Sequence, residues 1–225
     1  MEDGKVMSKL NVLYEDNHII VVEKPINILS QSDATGDLDL LTMVKQYVKE
    51  KYNKPGNVYI GLIHRLDRPV GGIMVFARSS KAASRLNKQQ IEHGFEKRYL
   101  AVINGVMDKK SGVLVDKLEK CSDGKTIVSN EGKEAILNYT VLDVNKKTNH
   151  SLVDIKLETG RHHQIRVQFA SRGHSLCGDQ RYGMFDKSQL ALYAYKLAFF
   201  HPITKERLEF RLNPPKMGYW TEFTM

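Results

Sequence analysis

The chain has 225 residues, of which 41% are hydrophobic and 27% are charged, a composition typical of a folded globular protein. No apolar stretch approaches the roughly 20 residues that a membrane helix needs, and residues 1–5 do not resemble a secretory signal. The formal net charge of +8 favours an anionic partner such as nucleic acid, and the two cysteines are too few for a disulfide framework. We therefore expect a cytoplasmic protein with reduced thiols and no membrane segment.

The N-terminal half predicts a hairpin, two helices and three further strands. Residues 1–10 are expected to form a flexible tail. The hairpin consists of strands at 12–14 and 19–23, and Pro25 ends the second strand. The elements that follow are a helix from about residue 40 to 52 capped by Asp37 or Asp39, strands at 58–62 and 72–77, a helix capped by Ser79 or Ser80 that runs to about residue 93, and a buried strand at 98–103.

The C-terminal half predicts mainly strands. Residues 104–150 combine glycines with short β-prone pieces at 112–115 and 137–144, which indicates a hairpin region with exposed loops. The later elements are a strand at 152–157, a turn at 159–160, a helix at 164–172 ended by Gly173, a long apolar strand at 190–200 and a last strand at 206–212.

Strands outnumber helices and do not alternate with them, which favours an α+β fold over a parallel α/β fold. We expect a mixed, largely antiparallel central sheet with flanking helices and loops. No repeat, low-complexity segment or linker interrupts the chain. Residues 11–225 are therefore expected to form one catalytic domain.

The most informative segment is residues 64–68, in which Asp67 lies between Arg65 and Arg68. An aspartate between two guanidinium groups is expected to stay ionised at neutral pH, which suits a nucleophilic or electrostatic role. The apolar stretch 72–77 should attach this site to a buried strand. Such a run can also be a surface ion pair worth about 0–1 kcal/mol, so the catalytic interpretation depends on further segments.

Two further segments carry complementary groups. Tyr99 is an aromatic residue on a predicted buried strand, and Arg166 is a cation near a helix start. Asp67 provides an anion, Tyr99 an aromatic ring and Arg166 a guanidinium cation. An enzyme that acts on a flipped-out RNA base needs these three kinds of group. Basic residues also cluster in two stretches that we interpret as a track for RNA phosphates, namely Arg65, Arg68, Arg78, Lys81, Arg85 and Lys88, and Arg161, His162, His163, Arg166, Arg172 and Arg181.

The chain resembles the RluA-type pseudouridine synthases from about Tyr14 to Phe210. The segments that carry the resemblance follow one another in order, at residues 14–25, 64–72, 97–101, 159–167, 178–183 and 200–204. The resemblance implies the pseudouridine synthase fold with a catalytic cleft across the sheet. It also implies isomerisation of uridine in structured RNA to its C-glycoside, without a cofactor or a metal.

The resemblance further implies a role for each matching residue. Asp67 matches the catalytic aspartate, Tyr99 the aromatic residue that stacks on the target base, and Arg166 the basic residue that pairs with the aspartate. Ile165 matches an apolar residue beside the base, and Arg65 an arginine associated with base flipping. Further substrate contacts are expected from Arg68, Arg161 and His64.

For His64 and His163 a structural hydrogen-bonding role stays open, and Lys97 and Arg98 can either contact phosphate or edge the sheet. We expect the substrate to be ribosomal or transfer RNA and the protein to be a monomer. We also expect it to lack the N-terminal RNA-binding domain that many relatives carry.

Two other functions are compatible with parts of the sequence. A non-catalytic RNA-binding or assembly protein would explain the basic charge, but it has no use for Asp67. A carboxylate-based glycosidase would need a second carboxylate about 5–10 Å away, for which Glu96 and Asp179 are the candidates. The route by which Asp67 acts stays open between attack on C1′, attack on C6 of the base and removal of the C2′ proton.

Overall fold

Strands dominate the part of the chain that the structure describes, residues 10–184 and 186–224 of a computed structural model. The predicted tail lies outside the described residues except for Leu10. The helices are α1 (Leu40–Lys51), α2 (Ser80–Ile91), α3 (Gln164–Ala170) and a short 3-10 helix (Gly218–Glu222). The strands are β1 (Val12–Glu15), β2 (Ile19–Lys24), β3 (Gly61–Leu62), β4 (Gly71–Ala77), β5 (Glu96–Asn104), β6 (Ser111–Lys120), β7 (Thr126–Val128), β8 (Lys133–Asn145), β9 (His150–Leu157), β10 (Leu192–Phe200) and β11 (Arg207–Arg211).

These strands join in one sheet with the order β1-β2-β4-β10-β5-β9-β8-β6-β7, while β3 pairs with β4 and β11 with β10. The pair of β10 and β4 is parallel, and the other pairs described are antiparallel. The predicted α+β class with a mixed, largely antiparallel sheet is confirmed. Among the described residues, no helix is both long and apolar enough to cross a membrane.

Helices cover the sheet on both faces. In β2, Ile20 and Val22 face a large core that also contains residues of α1 and α3, whereas Ile19 and Val21 face a second core formed with α2. Successive strand residues point to opposite faces, so a strand that is buried on both sides reads as a continuous apolar run. The run at 19–22 is fully buried for this reason.

The predicted helix caps are confirmed for α1 and α2. The carboxylate of Asp39 accepts the N–H of Thr42 at 3.0 Å, and the hydroxyl of Ser79 accepts the N–H of Ala82 at 3.2 Å. Each cap satisfies an N–H group that has no partner within its own helix. The predicted strand at 58–62 is reduced to the two residues of β3.

A close approach of β4 and β10 places the site. Gly72 has a φ of +128°, and a Cβ at this position would overlap the carbonyl oxygen of Ala194 on β10. Only glycine combines this backbone conformation with this contact. The loop before β4 is thereby held against β10, and β5 with Tyr99 lies on the other side of β10.

Candidate active site

Asp67 lies in the loop between β3 and β4, which distant residues hold in place. The hydroxyl of Ser30 donates to the carbonyl oxygen of Leu66 at 2.7 Å and accepts the Leu66 N–H at 3.0 Å. The N–H of Val70 donates to the carbonyl oxygen of Asp67 at 3.0 Å, which closes a turn. The backbone on both sides of Asp67 is therefore fixed before a substrate binds.

Lys24, the last residue of β2, is fully buried against the same loop. Its ammonium group donates to the carbonyl oxygens of Pro25 at 3.0 Å and Arg68 at 3.1 Å. Burial lowers the pKa of Lys24 to about 7, although the negative charge of Asp67 favours the protonated form. Lys24 had no predicted role, because a lysine at the end of a predicted strand is usually exposed.

The carboxylate of Asp67 contacts Arg166 and His163, not the two arginines beside it in sequence. Nη1 of Arg166 lies 3.2 Å from Oδ2 of Asp67, and Nε2 of His163 lies 3.5 Å from the same oxygen. The expectation that Arg65 and Arg68 flank this carboxylate is wrong, because Arg68 forms an exposed ion pair with Asp37 at 2.7 Å and Arg65 is exposed. The Asp67 side chain is 28% exposed, so the carboxylate is paired but accessible.

Arg166 is held by a second carboxylate that was not predicted to act in this way. Asp179 accepts hydrogen bonds from Nε of Arg166 at 2.8 Å and from Nη2 at 2.7 Å, and its side chain is fully buried. Burial raises the pKa of Asp179, but the hydrogen bonds and charge of Arg166 outweigh this and hold the pKa below its usual range. The bidentate pair fixes the guanidinium plane and leaves Nη1 directed at Asp67.

His163 connects Asp67 to the β6–β7 hairpin. The hydroxyl of Tyr182 accepts the N–H of Thr126 at 2.9 Å and lies 2.7 Å from Nδ1 of His163. Burial lowers the pKa of His163 to about 4, so the ring is neutral at pH 7. Because the Asp67 carboxylate can only accept, a ring proton on Nε2 suits its contact with His163, and the Tyr182 hydroxyl then donates to Nδ1.

A cavity of about 530 Å³ opens beside Asp67. Tyr99 on β5 contributes a ring that is 8% exposed, and Ile165 on α3 lies next to the catalytic pair. Burial and the charge of Asp67 raise the pKa of Tyr99, so its hydroxyl stays protonated at neutral pH. Seven of the eight predicted site residues line this cavity, namely Asp67, Tyr99, Arg166, Arg65, Ile165, Arg161 and His64.

A larger, more open cleft of about 1130 Å³ meets the cavity at Asp67, His163 and Arg166. Arg68, the eighth predicted residue, lines this cleft together with Arg65. Cations from distant segments that were not predicted to belong to the site join them, namely Lys120 and Lys125 at the tip of the β6–β7 hairpin, and Lys187. Arg181 also lines the cleft and donates to the carbonyl oxygen of Gly124 at 2.7 Å, which ties the hairpin tip to the wall.

The two basic clusters of the sequence are only partly assembled into this surface. Residues 78–88 follow β4 and extend into α2, and none of them lines the cavity or the cleft. Arg85 donates to the carbonyl oxygen of Pro202 at 3.0 Å, and Arg172 pairs with Asp116 at 2.8 Å. The two clusters do not form one track along the cavity and the cleft, because Arg85 and Arg172 are used in structural contacts and residues 78–88 lie away from both surfaces.

His64 lines the cavity but is engaged in the fold. Its Nε2 accepts the N–H of Val75 at 3.1 Å, and its ring packs edge-on against Phe95 with centroids 6.3 Å apart. Burial, with a smaller effect from the charge of Lys97, lowers the pKa of His64 to about 3. The ring is therefore neutral at pH 7, and its accepting nitrogen holds β4 against the catalytic loop.

This pKa makes a prediction about acid stability. The unfolded chain takes up a proton at His64 near pH 6.5, whereas the folded chain does so only near pH 3. The contribution of His64 to the free energy of unfolding is therefore fully present above pH 6.5 and is lost as the pH falls from there towards about 3. Between pH 6.5 and 5 the loss from this one group is about 2 kcal/mol. His64→Gln keeps an acceptor for the Val75 N–H and cannot titrate. Urea unfolding at pH 7 and pH 5 should show a smaller difference for His64→Gln than for the wild type, and equal differences would contradict the assignment.

The two carboxylates proposed for a glycosidase are both occupied. Glu96 pairs with Lys196 at 2.9 Å and with Arg207 at 2.9 Å on the sheet. Asp179 is separated from Asp67 by the Arg166 guanidinium that binds both. A general acid must give up a proton to the leaving group, and a fully buried carboxylate in a bidentate ion pair has none to give. The geometry therefore disfavours the glycosidase hypothesis.

Comparison with known proteins agrees with this arrangement. Residues 18–171 match the family model described as RNA pseudouridylate synthase. An uncharacterized RNA pseudouridine synthase of Aquifex aeolicus is 34% identical over 92% of this chain and 70% of its own length. Ribosomal large subunit pseudouridine synthase D of Zymomonas mobilis is 32% identical over 92% of this chain and 70% of its own length. tRNA pseudouridine synthase C of Vibrio parahaemolyticus is 30% identical over 89% of this chain and 88% of its own.

The fold has a solved counterpart as well. Human RNA pseudouridylate synthase domain containing 4 superposes with a TM-score of 0.78 at 21% identity, covering 94% of this chain and 90% of that chain. At this identity the likeness shows the fold alone, while the family match and the relatives above 30% identity show the family. The predicted resemblance is confirmed. The chain belongs to the RluA-type family of RNA pseudouridine synthases, isomerases that convert uridine in RNA to pseudouridine.

Proposed function

We propose that Asp67 is the catalytic carboxylate of this isomerisation and that Arg166 holds it in place. The observation that carries the proposal is the position of Asp67 between a cavity that Tyr99 lines and a larger cleft with cationic walls. A substrate with a flat apolar base on a polyanionic backbone matches both surfaces at once. In this arrangement the partly exposed carboxylate lies where the base would join the backbone.

The cavity suits a flipped-out uridine. Its volume of about 530 Å³ is within the usual range of roughly 300–1,000 Å³ for small-molecule sites. We infer that the base stacks on Tyr99 beside Ile165, and that Arg65, at the edge shared by cavity and cleft, occupies the space the base leaves in the RNA. Arg161 lies on the cavity wall, where it can contact the nucleotide.

The reaction exchanges one bond of C1′ for another. The bond from N1 of uracil to C1′ breaks, a bond from C5 to C1′ forms, the proton of C5 leaves, and N1 takes up a proton. The freed base must rotate within the cavity without escaping, and a stacking contact with Tyr99 would help to retain it. Asp67 can open the sequence by attack on C1′, by attack on C6 or by removal of the C2′ proton, and Arg166 balances its charge in each route.

We propose ribosomal or transfer RNA as the substrate. Support comes from the names of the relatives, which include one enzyme of the large ribosomal subunit and one of tRNA. The open cationic cleft has room for an RNA strand on either side of the target. The predicted cytoplasmic location, monomeric state, single-domain organisation and independence from a cofactor or metal stay predictions.

The proposal is tested with unmodified RNA that carries tritium at C5 of uridine. Isomerisation places C1′ on C5 and releases the tritium to water, so release measures the reaction directly. Ribosomal and transfer RNA transcripts are assayed separately, and the product is sequenced for pseudouridine. Release from one class identifies the substrate class, and no release from either would overturn the proposed substrates.

The stacking role of Tyr99 makes a separate prediction. Tyr99→Leu keeps an apolar side chain on β5 but removes the ring, and base–aromatic stacking contributes about 1–3 kcal/mol. We expect kcat/KM for tritium release to fall by roughly 5- to 150-fold. Tyr59→Leu, at an exposed tyrosine outside the cavity, is the matched control and should leave kcat/KM unchanged. Equal values for Tyr99→Leu and the wild type would contradict stacking.

A further inference from the structure

Lys97 lies beside the target base in the arrangement proposed above, yet its ammonium pairs with none of the residues that the structure describes. It stands two residues before Tyr99 on β5, and residues i and i+2 of a strand point to the same face. Both side chains line the cavity. They are separated along the strand by about 6.5 Å, a spacing of the same order as that between a nucleobase and its backbone phosphate.

Other cations on β5 and on the neighbouring strand β10 are paired. Arg98 forms an ion pair with Asp154, and Lys196 pairs with Glu96 at 2.9 Å and with Glu209 at 3.2 Å. Within residues 10–184 and 186–224, the Lys97 ammonium has no hydrogen bond or ion pair. Burial lowers its pKa, which means that the fold disfavours the charge that the side chain carries. A side chain that weakens the fold in this way is commonly kept for binding.

The surroundings of Lys97 leave its charge available to an anion. A second cavity of about 240 Å³ continues from the first and shares Lys97 with it. Glu158 lines both cavities together with Lys97, and its Oε1 lies 2.8 Å from Nζ of Lys156 and 2.8 Å from Nδ2 of Asn138. Next to Lys97, His64 is neutral at pH 7 because its pKa is about 3.

We propose that Lys97 binds a backbone phosphate adjoining the uridine whose base stacks on Tyr99. This inference rests on the proposed function. It places one phosphate contact inside the active-site cavity, apart from the cations of the open cleft. Lysine suits this position because its ammonium binds phosphate as a point charge without a fixed plane.

Equilibrium binding tests the contact without turnover. The binding constant is measured at several KCl concentrations for two variants, Asp67→Asn and Asp67→Asn/Lys97→Met. The ligand is the unmodified transcript that proves to be a substrate of the wild type. Each phosphate contact contributes about 0.7–0.9 to the slope of log K against log salt. We expect the slope of the double variant to be smaller in magnitude by about that amount. Asp67→Asn/Lys97→Arg should keep the salt slope of Asp67→Asn, because arginine retains the charge. The control Asp67→Asn/Lys81→Met, at an exposed lysine of α2, should also leave this slope unchanged.

Thermal melting distinguishes binding from a structural role. Methionine fills similar space without a charge to desolvate, so Lys97→Met should melt at the wild-type temperature or above it. An unchanged salt slope, whether or not the melting temperature falls, would overturn the phosphate contact. Tritium release by the wild type would in that case still support the proposed function. Failure of the wild type to release tritium would overturn both.

Discussion

Asp67→Asn is expected to lower the rate of tritium release by at least about 10³-fold while RNA affinity stays within a few-fold of the wild type. Asparagine keeps the size of the side chain and an oxygen that Nη1 of Arg166 can reach, so the fold should be preserved. It has neither the negative charge nor the nucleophilic oxygen that each of the three routes requires. Affinity should persist because we expect the cations of the cleft, and not Asp67, to contact the RNA backbone.

The measurement combines tritium release with filter binding on the same RNA. Asp143→Asn is the matched control, since this exposed aspartate of β8 lies outside the cavity and the cleft. Release by Asp67→Asn at a rate near that of the wild type would refute the mechanism. Loss of binding together with loss of release would instead indicate that Asp67 organises the cleft.

Local sequence patterns predict many of the helices and strands, but they do not predict the order of the strands in the sheet. The caps at Asp39 and Ser79 and the two-sided burial of β2 depend on residues a few positions apart, so they can be read directly. The insertion of β10 between β4 and β5 joins residues that are about a hundred positions apart. No local periodicity encodes such a contact, and β7 has only three residues with which to signal a strand.

The candidate site divides in the same way. Which side chains face the cavity was predicted well, because Tyr99, Ile165 and Asp67 each occupy a recognisable segment. The ion pairs between these groups were not predicted correctly. Arg68 pairs with Asp37 at the surface, and Asp67 pairs with Arg166 of α3. Neighbours along a loop point in different directions, so adjacency in sequence is a poor guide to an ion pair.

Residues that support the site indirectly were the hardest to find. Ser30 and Lys24 act through the backbone of the catalytic loop, and Asp179 acts through Arg166. Each is a common residue type in an unremarkable local sequence. Its function depends entirely on a partner brought close by the tertiary fold, and only the structure supplies that information.

Arg166→Met is expected to destabilise the protein as well as to abolish activity. Methionine leaves the Asp179 carboxylate fully buried with only the N–H groups of Arg181 and Tyr182 as partners. Breaking a buried ion pair by removing one partner costs about 3–5 kcal/mol. For a chain of this size the melting temperature should fall by roughly 6–20 °C. Activity should be lost too, because Asp67 no longer has the cation that fixes its side chain.

A second variant separates the two effects. Asp179→Asn added to Arg166→Met removes the stranded charge and keeps an oxygen for the two N–H groups, so most of the lost stability should return. Tritium release should not return, because the guanidinium beside Asp67 is still missing. Urea unfolding and tritium release on the wild type, the single variant and the double variant give both readouts. If the double variant regained activity, Arg166 would serve only to neutralise Asp179. If the single variant unfolded like the wild type, the buried pair would not have the strength that its geometry implies.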